Sequence, residues 1–534
     1  MSEALAVGTA PTPNLDSRPH VSGLVIFVIL LGIGLGFMLN GLIGDIDAAH
    51  TPPVAVGAFV LLGIALLIAL GFEFVNGFHD TANAVATVIY TRSLPPHVAV
   101  IWSGAFNFFG VMASSGAVAF AVLSLLPVEL ILQVGGSAGF AMIFALLIAA
   151  IIWNVGTWWL GLPASSSHTM IGSIIGVGLA NQLMAPAGSA TSGVDWSQAM
   201  GVFRALLFSP VVGFVLSAVL LLVMKFVIRN KTLYSAPSTD KPPPLWIRSL
   251  LILTCTSVSF AHGSNDGQKG MGLIMLILIG SVPTAFALNH AMPSSAMPGF
   301  YQATERAQAV FAAHAAGATV ASAEAARAAV TQAVQDRQIV GPQSWAALGT
   351  LTGDIATQVR EHGEMSGIPA AAVPNVRNDM YLVSEAIRLA LKSGLSAADT
   401  SALTAYRGAV DNATKFIPTW VKIAVAVALG LGTMVGWKRI VVTVGEKIGK
   451  SHLTYGQGAA AELVAAVTIA GADMYGLPVS TTHVLSSGIA GTMLANGSGL
   501  QWSTVRSIAL AWVLTLPAAM LLSGSLYFLL RQLT

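Results

Sequence analysis

Charge is what this chain has least of. Only 9% of its 534 residues are Asp, Glu, Lys or Arg, against roughly 25% in a soluble globular domain, so a water-facing surface cannot be drawn around most of it. The net charge is only +2, and the basic residues are clustered locally rather than spread over a face, which excludes a nucleic-acid partner. The single cysteine, Cys255, excludes a disulfide framework and a cysteine-rich metal centre and reads as a small core residue. No H-E-x-x-H string occurs, and the glycine-rich stretch ending in Lys269 lacks the Walker A order; an enzyme of the metal-hydrolase or phosphotransfer type is not expected. What remains is 55% hydrophobic with a mean hydropathy of +0.75, the composition of a protein that lives in a lipid bilayer.

About twenty apolar residues cross a bilayer as a helix. The run from Gly23 to Ile43 follows a polar start and is long enough to span, so it reads as a membrane helix and not as a cleaved signal. Further runs lie at 53–72, 98–126, 138–160, 202–228, 248–262, 271–289, 417–436, 456–475 and 505–530. They predict an all-α polytopic membrane protein with about 10–12 transmembrane segments. Two short loops fix its orientation: Lys225, Arg229, Lys231, Lys241 and Arg248 cluster in one, Lys438, Arg439, Lys447 and Lys450 in the other. The positive-inside rule puts both in the cytoplasm, which leaves 290–416 outside. That stretch is alanine-rich and mixed in charge, and Thr304-Glu-Arg-Ala-Gln and Ser322-Ala-Glu-Ala-Ala-Arg read as soluble helices. A helical cap or gate is one reading of it; the simpler one is a lineage-specific insertion without a transport role.

Two pairs of motifs interrupt the apolar background. Phe74-Val-Asn76-Gly77-Phe-His79-Asp80-Thr-Ala-Asn83 is echoed by Phe260-Ala-His262-Gly263-Ser-Asn265-Asp266-Gly-Gln268-Lys269, and Gly161-Leu-Pro163-Ala-Ser165-Ser166-Ser167-His168 by Gly476-Leu-Pro478-Val-Ser480-Thr481-Thr482-His483. The chain is thus two related halves, the second interrupted by 290–416. The expected organisation is a tail and extra helix (1–52), a first transport repeat (53–228), a basic loop (229–247), a second repeat in two parts (248–289 and 417–534) and the insertion between them. Duplicated, interrupted hydrophobic segments are the sequence signature of a secondary transporter with its site between the halves.

Each motif has a local chemistry. Pro163 and Pro478 suit a helix start, and the hydroxyls behind them can cap it, so each string offers exposed amides and a positive dipole end to an anion; helix capping alone is the plainer alternative. Asp80 and Asn83, like Asp266 and Lys269, share a helix face. An ionised side chain within a membrane costs on the order of 3 kcal/mol or more unless compensated, and a carboxylate beside an anion site calls for a bridging cation or proton. Gly77, Gly263, Gly267 and Gly270 suggest helix breaks whose carbonyls would help to hold that cation. Glu73 and Asp473 read as interfacial, and Glu462 as an intramembrane acid.

These four motifs, in this order, resemble the inorganic phosphate transporter (Pit) family, in particular its bacterial low-affinity, proton-coupled branch, from about Gly71 to the C-terminus. The resemblance implies an inverted repeat with broken or re-entrant helices, a homodimer in the bacterial inner membrane, and import of inorganic phosphate by proton symport, with the anion travelling as a neutral complex with a divalent metal such as magnesium. It implies no permanently bound cofactor. Against the family pattern Gly-Ala-Asn-Asp-Val-Ala-Asn-Ala, His79 and Lys269 each replace an asparagine, consistent with a proton in place of sodium. Ser165, Ser166, Ser167, Ser480, Thr481, Thr482, Asn83 and Lys269 are the expected phosphate contacts. Asp80, Asp266, His79, Asn265 and Glu462 are the expected coupling-ion residues, Glu462 by its place in the family, with Asp80 and Asp266 also the candidate metal ligands. Sodium coupling, sulfate as cargo and an uncoupled anion channel are the competing expectations.

Overall fold

The computed structural model describes residues 12–15, 21–51, 55–132, 135–185, 193–237, 241–339 and 341–533, with the side chains of 81–83 and 198 outside that description. Within them the fold is helical, and the one pairing of extended backbone is an isolated bridge between Gly449 and Leu500. A first helix, α1 (Val21–Ala48), precedes the first half: α2 (Val56–Tyr90), α3 (Pro96–Ala113), α4 (Ala117–Leu123), α5 (Val128–Leu132), α6 (Ser137–Trp159), α7 (Ser166–Met184) and α8 (Trp196–Val227). The second half opens with α9 (Leu245–Ser281) and α10 (Pro283–Phe286). Next come the helices of the inserted stretch, α11 (Met297–Ala315), α12 (Ala323–Gln335), α13 (Gly341–His362), α14 (Val373–Ala390) and α15 (Ala397–Thr414). The half resumes with α16 (Thr419–Thr433), α17 (Lys438–Glu446), α18 (Tyr455–Met474), α19 (Thr481–Ala495) and α20 (Trp502–Leu533).

Helix is the only open-ended structure whose backbone satisfies itself in lipid. Seven helices are long and apolar enough to cross a bilayer, namely α1, α2, α3, α6, α8, α9 and α20, and α15 with α16, bent by 75°, makes an eighth candidate. The expected run 248–262 and most of 271–289 form one continuous helix, α9, and the remaining segments are α18, at the expected run 456–475, and α7 and α19, which follow the two Pro-Ser strings. Their serines, threonines, histidines and Glu462 lower their hydropathy, and these polar groups are buried.

The halves are exchanged rather than set side by side. Helix α3 packs on α9 while α16 packs on α2, and α7 packs on α20 while α19 packs on α8. Every helix of one such pair belongs to the opposite half from its partner, and corresponding helices repeat the arrangement. Glycine makes the crossings possible: a Cβ on Gly77 would lie 2.3 Å from the Leu429 carbonyl, and one on Gly263 2.1 Å from that of Asn107. These glycines therefore admit a neighbouring backbone and do not break their helices, as the sequence suggested; α2 and α9 run on through the motifs. The breaks fall instead in front of α7 and α19.

At 37 residues and about 1.5 Å per residue, α9 is about 55 Å long. The basic loop sits at its start and the inserted helices at its end. Leu233 and Ile247 of that loop region join Ile440 and Ile448 of the other basic segment in one apolar cluster. The inserted helices instead share a cluster with Leu125, Leu130 and Leu278. Ser322 caps α12, accepting from the Ala325 amide. The insertion is docked and not tethered loosely: Arg388 lies 3.2 Å and Arg337 3.6 Å from Asp195.

Candidate functional site

Helices α2 and α9 pack together and bring their acid motifs to one point, where the polar starts of α7 and α19 also meet. Ser165 and Ser480 are the N-caps of α7 and α19, accepting from the amides of His168 (3.2 Å) and His483 (3.1 Å). The helix starts therefore fall three residues after Pro163 and Pro478, and these two hydroxyls are used in capping. The loops before them are pinned: Trp512 Nε1 donates to the Pro163 carbonyl at 2.8 Å, and Asn265 Nδ2 donates to that of Leu477 at 3.1 Å. Asn265 thus positions the start of α19 and does not face the acids' common point.

Asp80 is the hub. Its Oδ2 accepts from Ser166 Oγ at 2.8 Å and its Oδ1 from Thr482 Oγ1 at 2.5 Å, one hydroxyl from each half. The carboxylate thus takes the donors that an oxyanion would otherwise take. His79 Nδ1 lies 3.3 Å from Asp80 Oδ1, and its Nε2 lies 3.1 Å from Thr157 Oγ1. With Nδ1 carrying the hydrogen towards the acid, Nε2 accepts from the threonine; when that hydroxyl turns to the Trp153 carbonyl, 3.0 Å away, its oxygen presents a lone pair to Nε2 instead.

Across from it, Lys269 Nζ lies 2.6 Å from Asp266 Oδ2 and donates to Ser167 Oγ at 2.5 Å. Ser167 in turn donates to the Val479 carbonyl at 2.7 Å, tying the two Pro-Ser strings together. Thr481 Oγ1 is buried without a hydrogen-bond partner among the described residues. The Asn83 side chain lies outside the described residues.

One central residue was not singled out from sequence. His262 sits one turn before Asp266 with Nδ1 2.9 Å from Asn107 Oδ1, and Asn107 Nδ2 donates to Thr433 Oγ1 at 3.1 Å. Since the amide nitrogen is spent on Thr433, Asn107 presents its oxygen, and Nδ1 carries the hydrogen. The other ring nitrogen, Nε2, lies 3.9 Å from Asp80 Oδ2 and 3.7 Å from Asp266 Oδ2. Two carboxylate oxygens facing one ring nitrogen repel unless a positive charge, a proton or a metal ion, lies between them. A unit positive charge near 4 Å from a carboxylate gains about 4 kcal/mol at an effective dielectric of about 20. Asp80, His262 and Asp266 offer ligand atoms all within 4.8 Å of one another, a set that suits a proton or a divalent cation with oxygen and imidazole ligands. Two carboxylates against one ammonium leave one negative charge over. The His-x-x-x-Asp spacing in α9 was the signal in the sequence.

Other candidates fall elsewhere. Glu462 accepts from Thr87 of α2 and, at 2.5 Å, from Thr254 of α9. Thr87 is seven residues past Asp80, about 10 Å along the helix, so Glu462 does not join the cluster. Glu73 is not interfacial: it is fully buried, takes a 3.4 Å hydrogen bond from Asn76 Nδ2, and leaves Oε1 unpartnered among the described residues. Its carboxyl fits against Gly270, where a Cβ would lie 2.3 Å from it. Asp473 accepts from Ser264 and Gln268, each at 2.6 Å, on the same α9 surface. His168 and His483, the last residues of the two strings, stack at 4.5 Å between ring centroids.

The sequence is similar to the low-affinity inorganic phosphate transporter PitA of Escherichia coli, 43% identical over 490 residues that span 89% of this chain and 97% of that one. The low-affinity inorganic phosphate transporter of Buchnera aphidicola from Acyrthosiphon pisum is 38% identical over 88% of this chain and 96% of its own. Residues 290–416 make up nearly a quarter of the chain, so an 89% alignment includes much of them, and this chain shares that part with the Escherichia coli relative. Among solved structures, one described as the sodium-dependent phosphate transporter matches 89% of this chain and 100% of its own with a TM-score of 0.50 and 20% identity, a likeness of fold. The profile of the phosphate transporter family matches residues 76–523. This multi-pass membrane chain belongs to the phosphate transporter family.

Proposed function

We propose that the protein imports inorganic phosphate by symport with a proton, the anion entering as a neutral complex with a divalent metal such as magnesium, in the inner membrane of a bacterium and as a homodimer. The observation that carries the coupling is the His262 Nε2 held between Asp80 and Asp266. A cation arriving there draws Asp80 towards itself. Asp80 then gives up the hydroxyls of Ser166 and Thr482, which become donors for phosphate oxygens beside the uncapped first amides of α7 and α19. Cation and anion therefore enter together, each making room for the other. His79 and Thr157 supply a proton store next to the hub. Lys269 holds Asp266 and Ser167 and offsets one of the two acids. No covalent step is needed; rocking one set of exchanged helices against the other completes transport.

The test is radiolabelled phosphate uptake into proteoliposomes under an imposed pH or sodium gradient, with and without magnesium. Accumulation driven by the pH gradient, dependent on magnesium and lost in Asp80→Asn, is the expected result. A requirement for external sodium at fixed pH replaces the proton, sulfate uptake in preference to phosphate replaces the cargo, and flux without accumulation makes the protein a channel.

A further inference from the structure

Among the described residues two basic side chains are buried, Lys269 and Arg377. Lys269 has its acid, Asp266, 2.6 Å away. Arg377, near the start of α14 in the inserted domain and only 8% exposed, has no carboxylate within 4.0 Å among the described residues. Acids are not scarce around it: Arg327 takes Asp379 at 2.5 Å, and Arg388 takes Glu385 at 2.7 Å and Asp195 at 3.2 Å. Gln133 and Val134, of the neighbouring loop and outside the described residues, carry no acid. What Arg377 has is Asn378 Oδ1 at 3.1 Å, the Ile131 carbonyl at 3.4 Å and the Tyr381 ring at 5.3 Å. Both hydrogen bonds leave from Nη1, and Nε and Nη2 have no partner among the described residues.

Arg377 lines a cavity of about 450 Å³ between the insertion and the transport helices, with Asn378, Pro374, Gly135, Gly136 and Gly280. Two helices start at this cavity. α6 has Gly136 as its N-cap, α14 begins at Val373, and neither has a side-chain cap or an acid in its first turn. Each contributes roughly half a positive charge, while the C-terminal end of α9 at Gly280 contributes roughly half a negative one. The balance, with a whole guanidinium added, is strongly positive. The guanidinium fork suits a tetrahedral oxyanion.

We infer that this cavity is a second anion site, in which Arg377, Asn378 and the N-termini of α6 and α14 take an inorganic oxyanion at the insertion-covered end of the transporter. It lies about 17 Å along α9 from Lys269, eleven residues at 1.5 Å each. The proposed import of phosphate supplies the identity of the ligand and makes this its first station; the anion site itself stands on the unpaired arginine. The insertion then has a transport role, as the wall that carries the arginine.

Equilibrium binding of radiolabelled phosphate, with magnesium present, to the full chain in phosphatidylcholine nanodiscs tests it. The natural protein is expected to bind two phosphates per chain, and Ser166→Ala/Thr482→Val and Arg377→Gln one each. Asn378→Asp places a carboxylate beside the guanidinium, so the arginine stays paired and the fold is kept while the anion is shut out; it too should bind one. In uptake, Arg377→Gln should raise KM at least threefold with kcat retained. Stoichiometry unchanged in both Arg377→Gln and Asn378→Asp overturns the site. Phosphate displaced from it by phosphatidylglycerol in the nanodisc also overturns it, since the occupant is then a lipid headgroup. Binding that depends on Arg377 but not on Ser166 and Thr482 upholds the site and refutes the central transport reading.

Discussion

Lys269→Met tests the electrostatic balance of the central cluster. The variant keeps most of the buried aliphatic stem and removes the ammonium that lies 2.6 Å from Asp266. Removing one partner of a buried ion pair costs about 3–5 kcal/mol, because the other charge is left uncompensated, whereas replacing both partners is close to neutral. Lys269→Met should therefore destabilise by about that amount, Asp266→Asn by less, because the ammonium keeps the Ser167 hydroxyl, and the double variant should recover most of the loss. The coupling energy of this cycle should exceed about 2 kcal/mol, within the range seen for residues in one network. SDS-driven unfolding in mixed micelles gives the three differences, and magnesium-dependent uptake gives the functional side. The single variant leaves two uncompensated acids facing His262 and should draw the metal more tightly, so its remaining uptake should saturate at lower magnesium. A loss below about 1 kcal/mol in Lys269→Met, with no recovery in the double variant, would refute the idea that the lysine offsets Asp266.

Three further outcomes follow from the geometry. Asn107→Leu removes the acceptor that fixes the His262 tautomer and should weaken the magnesium dependence of uptake by about 10–100-fold, the usual effect of losing such a partner; an unchanged magnesium profile would show that His262 does not face the cation. Gly263→Leu forces a side chain into the Asn107 carbonyl and should cost at least about 1–3 kcal/mol in the same unfolding assay, whereas Gly36→Leu, with nothing within 4 Å, should be neutral; equal losses would remove the close-crossing argument. Ser322→Ala deletes the N-cap of α12 and should lower the stability of the inserted domain by about 1 kcal/mol while central phosphate binding persists, as read by hydrogen exchange and equilibrium binding.

Much of the site was legible because its residues recur. Two copies of an acid motif and two of a Pro-Ser-His string select Asp80, Asp266, Ser166, Ser167, Thr482 and Lys269 without any coordinates, and the structure gathers them on either side of His262, Asp80 with Ser166 and Thr482 on one side and Asp266 with Lys269 and Ser167 on the other. Glu73 was misread because one acid near an apolar boundary looks the same whether it meets water or a neighbouring helix. The glycines were misread for a similar reason: a sequence does not distinguish a glycine that bends its own helix from one that admits another.

The sequence by itself determined the solvent, the helical class, the duplication and the chemistry of the duplicated groups, because each depends on composition or on spacing along the chain. Only the tertiary structure decided which half faces which. The exchange of α3 with α16 and of α7 with α19 between the halves sets His262 of α9 against Asp80 of α2, and gives Asp80 one hydroxyl from α7 and another from α19. These contacts join residues as far as 402 positions apart, and no local propensity encodes them. They are set by which glycine-lined helix surfaces approach closely enough to pack, a property of pairs of helices in space.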